Sequence, residues 1–337
     1  VAVATEAISY QKRPSRELFE ARRDTCTAER ERLLAEWRAA PETAPDLWFT
    51  YHPYCKSPDW IGPAVSKALA IPYVTAEACR TRQATDADWH DARSSVQKAV
   101  TSADVNFCLK KSDHEYLATF LPDMSSVVPL KPFIDDQAGG AAAALPFANG
   151  EPVLVAVGMM RPGAKMHSYA ALADTLRELP GRWNLVLIGD GPGRSEIETL
   201  FAFLAPDRLH LAGAVPHDEV RAWLEAGDIF VWPGIGEAIG MAFLEAQAAG
   251  LPVTAFATAG VPEVVGNRAA LLAPSGDTGA LRDHIETLVA DAALRQRMGV
   301  AARAHVAANH SIRAAAETIR HSLDPLLAAA RNRVSSA

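Results

Sequence analysis

Two carboxylates, Glu237 and Glu245, stand at opposite ends of an otherwise uncharged segment, Gly236-Glu-Ala-Ile-Gly-Met-Ala-Phe-Leu-Glu-Ala-Gln-Ala-Ala-Gly-Leu-Pro-Val253. A helix starting near Gly240 fits this segment, because Met241 to Ala249 are strong helix formers and Gly250 followed by Pro252 is a stop signal. Glu237 then precedes the helix and Glu245 lies in its second turn. At ~1.5 Å rise per residue the acids are roughly 8–12 Å apart, which suits two ends of an extended polar ligand. Between them the helix N-terminus, at Ile239, Gly240 and Met241, offers backbone N–H groups to an anion. A nucleotide sugar has that layout: hydroxyls, diphosphate, hydroxyls. The alternative is a capping acid at Glu237 and an exposed helix residue at Glu245.

The residues before the pair, Asp228-Ile-Phe-Val-Trp-Pro233, read as a short buried strand, and Gly234 and Gly236 break the chain ahead of the helix. Strand, glycine loop and helix N-terminus is where parallel α/β sheets put phosphate ligands. A second such unit is Val153-Leu-Val-Ala-Val157 running into Gly158-Met-Met-Arg-Pro-Gly-Ala-Lys165. Its two cations suit a diphosphate, since Arg161 can grip two oxygens in a fork and Lys165 acts as a mobile point charge. An exposed loop with solubilising charge is the alternative. Leu185-Val-Leu-Ile-Gly-Asp-Gly-Pro-Gly193 places Gly189 and Gly191 after a third strand. It is a weak dinucleotide fingerprint, and Pro192 with the missing third small residue argues against NAD.

These segments resemble the donor site of retaining GT-B glycosyltransferases of family 4, the glycosyl transferases group 1. In that family two glutamates are separated by seven residues ahead of an Ala-Gly-x-Pro-Val ending, as Glu237 and Glu245 are ahead of Ala249-Gly250-Leu251-Pro252-Val253. The resemblance implies two Rossmann-like α/β domains with parallel sheets facing a central cleft, and transfer from a nucleoside diphosphate sugar with retention, in polysaccharide or glycoconjugate synthesis. It implies that Glu245 binds ribose hydroxyls, Glu237 the donor hexose, and Arg161 and Lys165 the pyrophosphate. Gly158, Gly189, Gly191 and the Ile239-Gly240-Met241 backbone would line the donor, with Gly213-Ala-Val215 at the nucleobase unless it is a plain strand-end turn. Ala259-Gly-Val-Pro-Glu-Val-Val265 resembles the family's Gly-Gly-x-Pro-Glu loop, in which the glutamate, here Glu263, is more often structural than ligand-contacting. One departure is Met159, which stands where the commonest form has arginine directly after the glycine. The family's usual reaction occurs on one face, the departing phosphate accepting the acceptor's proton, with no protein nucleophile and no metal. No H-E-x-x-H motif occurs to ask for a metal, and the only expected ligands are a nucleotide sugar donor and an unspecified acceptor.

In the first half, Thr50-Tyr-His-Pro-Tyr54 follows a strand, and ligands bind beyond strand C-termini. His52 resembles the family's cleft histidine near the transferred sugar; a hydrogen-bonded structural role is equally open. Lys56, Asp59 and Trp60 follow, Trp60 either meeting a sugar face or packing in the core. Glu77, at the end of the next strand, is a weaker candidate.

These side chains need two sheets to hold them. Across 337 residues, more than one core usually organises, the chain alternates strands and helices. Strands fit 1–8, 47–52, 73–78, 105–109 and 127–129, with helices at 15–39, 59–69, 91–103 and 113–120. A linker rich in Ala, Gly and Pro fits 131–150. The alternation restarts with strands at 152–157, 183–188, 209–211 and 229–232 and helices at 168–178, 194–204 and 217–226. Domains are therefore expected at 1–140 (acceptor side) and 141–310 (donor side), and by resemblance the helix of 311–337 crosses back to the first. Residues 1–5 look like the second strand of such a first domain, so its first strand, glycine loop and helix are expected to be missing; a naturally short sheet is the alternative.

The net charge of -7 argues against a general nucleic-acid binder. Cys26, Cys55, Cys79 and Cys108 form no C-x-x-C pair and read as buried thiols. No apolar run reaches the roughly 18 residues of a membrane span, so the expected location is cytoplasmic, with peripheral contact at the inner membrane face left open. Rival functions are a GT-B sugar-nucleotide epimerase, a silent sugar-nucleotide binding protein and, least favoured, an NAD oxidoreductase.

Overall fold

The computed structural model describes residues 1–80, 87–135, 141–204 and 206–335. The chain divides into two compact units, Val1–Lys131 with Ala316–Ala337, and Pro132–Ala315. Part of the expected linker, 136–140, lies outside the described residues.

In the first unit α1 (Arg16–Ala39) starts at Ser15, whose hydroxyl accepts from the Leu18 N–H. Then follow β1 (Trp48–Tyr51), α2 (Gly62–Leu69), β2 (Tyr73–Ala76), α3 (His90–Thr101), β3 (Val105–Cys108), α4 (Lys111–Leu117) and β4 (Val127–Pro129). The strands pair in parallel in the order β1-β2-β3-β4. Strands β2 and β3 are buried along their whole length, as parallel strands covered on both faces are. Asp59 pins the start of α2 to the sheet: it accepts from the Ile61 and Gly62 N–H groups and from the hydroxyls of Thr50 and Tyr73. Trp60 packs edge-on against Phe19 of α1, its ring 5.1 Å away, beside the core. Packing, not a free sugar-binding face, is what the structure gives it.

The strand expected at 1–8 does not form. Val1, Val3 and Ile8 are exposed. The segment is instead tied down by Thr5 Oγ1 donating to Glu29 Oε1 at 2.8 Å and by the Gln11 N–H donating to the Lys56 carbonyl at 2.8 Å. Alternating valine suits a strand, but a strand exists only where a neighbour supplies a ladder, and β1 supplies none to these residues. Among the described residues the sheet begins at β1.

The second unit contains β5 (Val153–Val157), α5 (Ala164–Arg177), β6 (Asn184–Ile188), α6 (Arg194–Leu200), β7 (Leu209–Gly213), α7 (His217–Glu225), β8 (Ile229–Val231) and α8 (Met241–Ala248). It continues through β9 (Val253–Phe256), α9 (Val261–Val264), β10 (Ala270–Ala273), α10 (Thr278–Ala290) and α11 (Ala292–Asn309). Helix α12 (Ile312–Ser335) begins in this unit, and its residues from Ala316 belong to the first. The six strands run parallel in the order β10-β9-β8-β5-β6-β7. The order reverses between β5 and β8, the switch point at which doubly wound sheets open a crevice for ligands. The core here is continuous, from Leu154 and Phe230 in the sheet to Tyr169 and Leu244 on the helices.

None of the four cysteines forms a disulfide, and Cys26, Cys55 and Cys108 are buried. Among the described residues no helix is long and apolar enough to cross a membrane.

Candidate active site

The loops leaving β5 and β8 emerge side by side at the switch point. Lys165, in the first turn of α5, sends its Nζ to Glu237 Oε1 across that gap. The same oxygen accepts the indole N–H of Trp232 at 3.2 Å. The Lys165 ammonium also lies 5.4 Å from the Trp232 ring centroid. The Lys165 and Glu237 side chains are only 19% and 16% exposed, so this pair is more than a solvated surface contact. Glu237 does not cap α8, whose N-cap is Gly240 with no side-chain bond.

The glycine loops interlock through main chain. The Gly158 N–H donates to Ile188 O and the Gly189 N–H to Gly213 O, each at 2.9 Å, while Met160 N–H meets Asp190 O and Gly193 N–H returns to Met160 O. The loops after β5, β6 and β7 thus form one frame. Gly189 has φ 140°, and a Cβ there would sit 2.0 Å from Gly158 O, so only glycine fits. Tyr169 of α5 donates its hydroxyl to Gly158 O at 2.6 Å and packs edge-on against Trp232. Gly191 and Gly213 also adopt positive φ, and Val215 lies just beyond, half-buried against the core.

Ile239, Gly240 and Met241 lead into α8, and Gly240 takes a left-handed φ of 80°. The loop before α9 supports them: the Gly260 N–H donates to Glu237 O at 3.0 Å. Glu245 sits in the second turn of α8 with its side chain 21% exposed. Burial raises its pKa, opposed by His217, whose Nδ1 is 3.9 Å from Oε1. Arg161 is exposed, and among the described residues its side chain makes no hydrogen bond or ion pair; the structure does not draw it to Lys165. Glu263 is exposed. Among the described residues no group of three or more His, Cys, Asp or Glu is placed to hold a metal ion.

The first unit holds a second cluster. His52 and Glu77 directly follow β1 and β2, and both take left-handed φ, 57° and 56°. Such backbone is uncommon without glycine and gathers at functional sites. His52 Nδ1 lies 3.5 Å from Glu77 Oε2, and Lys110 Nζ is 3.6 Å from Glu77 Oε1 and 3.1 Å from Asp113 Oδ2. Tyr51 donates its hydroxyl to Glu77, and His52 Nε2 is 4.0 Å from Cys79 Sγ. Cys79 and Glu77 push the His52 pKa up to about 10, against burial. His52, Tyr51 and Lys110 hold the Glu77 carboxyl down at about 2, also against burial.

A pH dependence follows. The raised His52 pKa contributes stability that is full below its ordinary ~6.5 and lost as pH climbs through about 10. The lowered Glu77 pKa contributes stability present above the usual carboxylate range and lost as pH falls through about 2. Comparing wild type with His52→Asn, since asparagine tolerates left-handed φ, the Tm gap should be widest near pH ~6 and shrink toward pH ~10. A gap constant across that range would leave the pair without a charge component.

The family model for glycosyl transferases group 1 matches residues 151–291. This chain carries a group 1 glycosyl transferase domain. It is 33% identical over 190 residues to the 2-deoxystreptamine N-acetyl-D-glucosaminyltransferase of Streptomyces fradiae, covering 55% of this chain and 44% of that protein. It is 32% identical over 176 residues to the D-inositol 3-phosphate glycosyltransferase of Nocardia farcinica, covering 50% and 39%. The chain thus spans less than half the length of these two curated relatives. Among solved structures, sucrose-phosphate synthase of Thermosynechococcus elongatus superposes with a TM-score of 0.65 at 20% identity, covering 92% of this chain and 80% of that one. Anabaena HepE in complex with UDP gives 0.65 at 15%, covering 87% and 82%. These likenesses show the fold, which is GT-B.

Within the group 1 domain the structure brings Lys165 to Glu237 and gathers Gly158, Gly189, Gly191 and Gly213 into the frame. Three residues escaped sequence reasoning: Trp232, Tyr169 and His217. Trp232 alone left a signal, a large aromatic directly after an all-apolar strand and before a Pro-Gly turn.

Proposed function

We propose that this chain transfers a glycosyl unit from a nucleoside diphosphate sugar to an acceptor, with retention at the anomeric carbon. The observation that carries the reading is the meeting of Lys165 with Glu237 at the strand-order reversal of a group 1 domain. The bond from the anomeric carbon to the diphosphate breaks, and charge builds on the leaving phosphate. Lys165, Arg161 and the N–H groups of Ile239, Gly240, Met241 and the first turn of α8 meet that charge, an oxyanion type of stabilisation. The acceptor hydroxyl oxygen bonds to the anomeric carbon on the face the diphosphate leaves, and a leaving phosphate oxygen takes its proton, so no protein nucleophile and no metal take part. Glu237 accepts from a hexose hydroxyl and Glu245 from the ribose. Gly158, Gly189, Gly191 and Gly213 let the donor approach main chain, with Val215 at the base. The relatives named above differ in what they glycosylate, and the acceptor of this chain is left as a hydroxyl. Both are transferases by name, which favours transfer over epimerisation.

A thermal-shift panel of UDP, GDP and ADP with their glucose conjugates tests the donor, because a ligand of the native state raises Tm by mass action. No shift with any of them overturns the reading. Proton NMR of the product's anomeric signal reads retention. For the two acids, Glu245→Gln should weaken free nucleoside diphosphate about tenfold, the effect of one charge-assisted hydrogen bond. Glu237→Gln should keep that affinity and lose turnover, since the free diphosphate carries ribose but no hexose. The reverse pattern would mean the donor lies the other way round.

A further inference from the structure

We propose that Trp232 is a positioning residue of the donor site, its indole N–H holding Glu237 in place for the donor sugar when the diphosphate draws Lys165 away. This rests on the sugar-nucleotide reading above. Glu237 Oε1 accepts from both Lys165 and Trp232. A lysine ammonium is a mobile point charge on a flexible stem, and a diphosphate offers it more negative charge than one carboxylate does. Once Lys165 turns to the diphosphate, Trp232 is the side-chain donor left to Glu237 among the described residues. Without it the carboxylate regains rotamer freedom, and a small misplacement of a group that orients substrate is costly to rate.

Trp232 can serve because it cannot move. Its side chain is 1% exposed and packs edge-on against Tyr169 at 4.9 Å between ring centroids. A Cβ on Gly158 would stand 2.9 Å from its Cη2 atom, so the ring fills the space under the glycine loop. Tyr169 is bonded to the Gly158 carbonyl in turn. One aromatic pair therefore sets both the height of the loop after β5 and the position of Glu237. With Oε1 engaged, Oε2 is the oxygen offered to a sugar hydroxyl.

Two replacements test this. Trp232→Phe removes the N–H and part of the ring. Introducing 3-benzothienylalanine at position 232 keeps the two-ring shape and puts sulfur in place of the N–H, so packing is retained. Affinities for UDP and UDP-glucose, or for whichever pair of the panel binds tightest, are measured with turnover and Tm. In the benzothienyl variant, sugar-nucleotide affinity or turnover should fall about tenfold, with free diphosphate affinity and Tm held. In a Glu237→Gln background the same replacement should cause no further loss, because it acts through Glu237. Undiminished sugar-nucleotide binding and turnover, or an equal fall for both ligands, overturns the proposal.

A wild-type chain that binds no nucleotide overturns the reading of the site and this role with it. The contact itself is checked separately by the indole N–H resonance that Trp232→Phe abolishes. It should shift in Glu237→Gln, and an unmoved signal refutes the hydrogen bond.

Discussion

Lys165→Ala is expected to lower transfer by about 10²–10³-fold, the usual scale for removing one donor aimed at charge that develops in a transition state. The Lys165 side chain is 19% exposed and is paired with Glu237 across the switch point, so its charge acts where water screens it incompletely. The folded state should suffer less. Removing Lys165 leaves Glu237 with the Trp232 N–H and partial access to water, so the carboxylate is not stranded. A drop of a few degrees in Tm beside the large kinetic loss is the expected pattern, read by calorimetry and steady-state turnover. Arg161→Ala should cost less in turnover and nothing in Tm, because its side chain is exposed. Full activity in Lys165→Ala would reduce the cation to a solubility role and remove the charge argument for the mechanism.

Gly189→Ala should destabilise the second unit by roughly 3 kcal/mol or more, combining a disfavoured φ with a collision against main chain. The added carbon would lie 2.0 Å from the carbonyl oxygen of Gly158, which is itself held by Tyr169 and cannot retreat cheaply. Gly276→Ala is the control: its φ is +81° with nothing within 4 Å, so only backbone strain of roughly 1–2 kcal/mol is expected. Chemical denaturation of both variants beside wild type separates the two. Equal losses would mean that the loops after β5 and β6 are not locked together.

Much of this was readable in the sequence, for physical reasons. Buried parallel strands are near-continuous apolar runs, so Val153–Val157 and Asn184–Ile188 stand out from helices such as Ala164–Arg177 with little ambiguity. The helix behind Glu237 was marked at both ends by glycine. What stayed hidden depends on which loops become neighbours. Lys165 and Glu237 are 72 positions apart, and only the β8-β5 adjacency brings them together. Trp232 read as the end of a strand, because a period of two says which face a side chain takes and nothing of the oxygen its N–H will find. That Glu77 would meet both His52 and Lys110 was concealed for the same reason. The error at 1–8 has the opposite cause, a local pattern satisfied without a neighbouring strand.

The loops at the switch point are tied to one another by main-chain bonds, and this separates what must be inherited from what can drift. Met159, Arg161 and Pro192 all stand exposed on those loops. None of their side chains is needed to keep Gly158, Gly189 and Gly213 in register, since the bonds run between backbone N–H and C=O groups. A lineage can therefore replace them one at a time, changing what an incoming ligand meets without rebuilding the scaffold beneath. Methionine at 159, where the resemblance to group 1 implies arginine, stands exposed on such a loop, so its identity is independent of the backbone bonds beneath it.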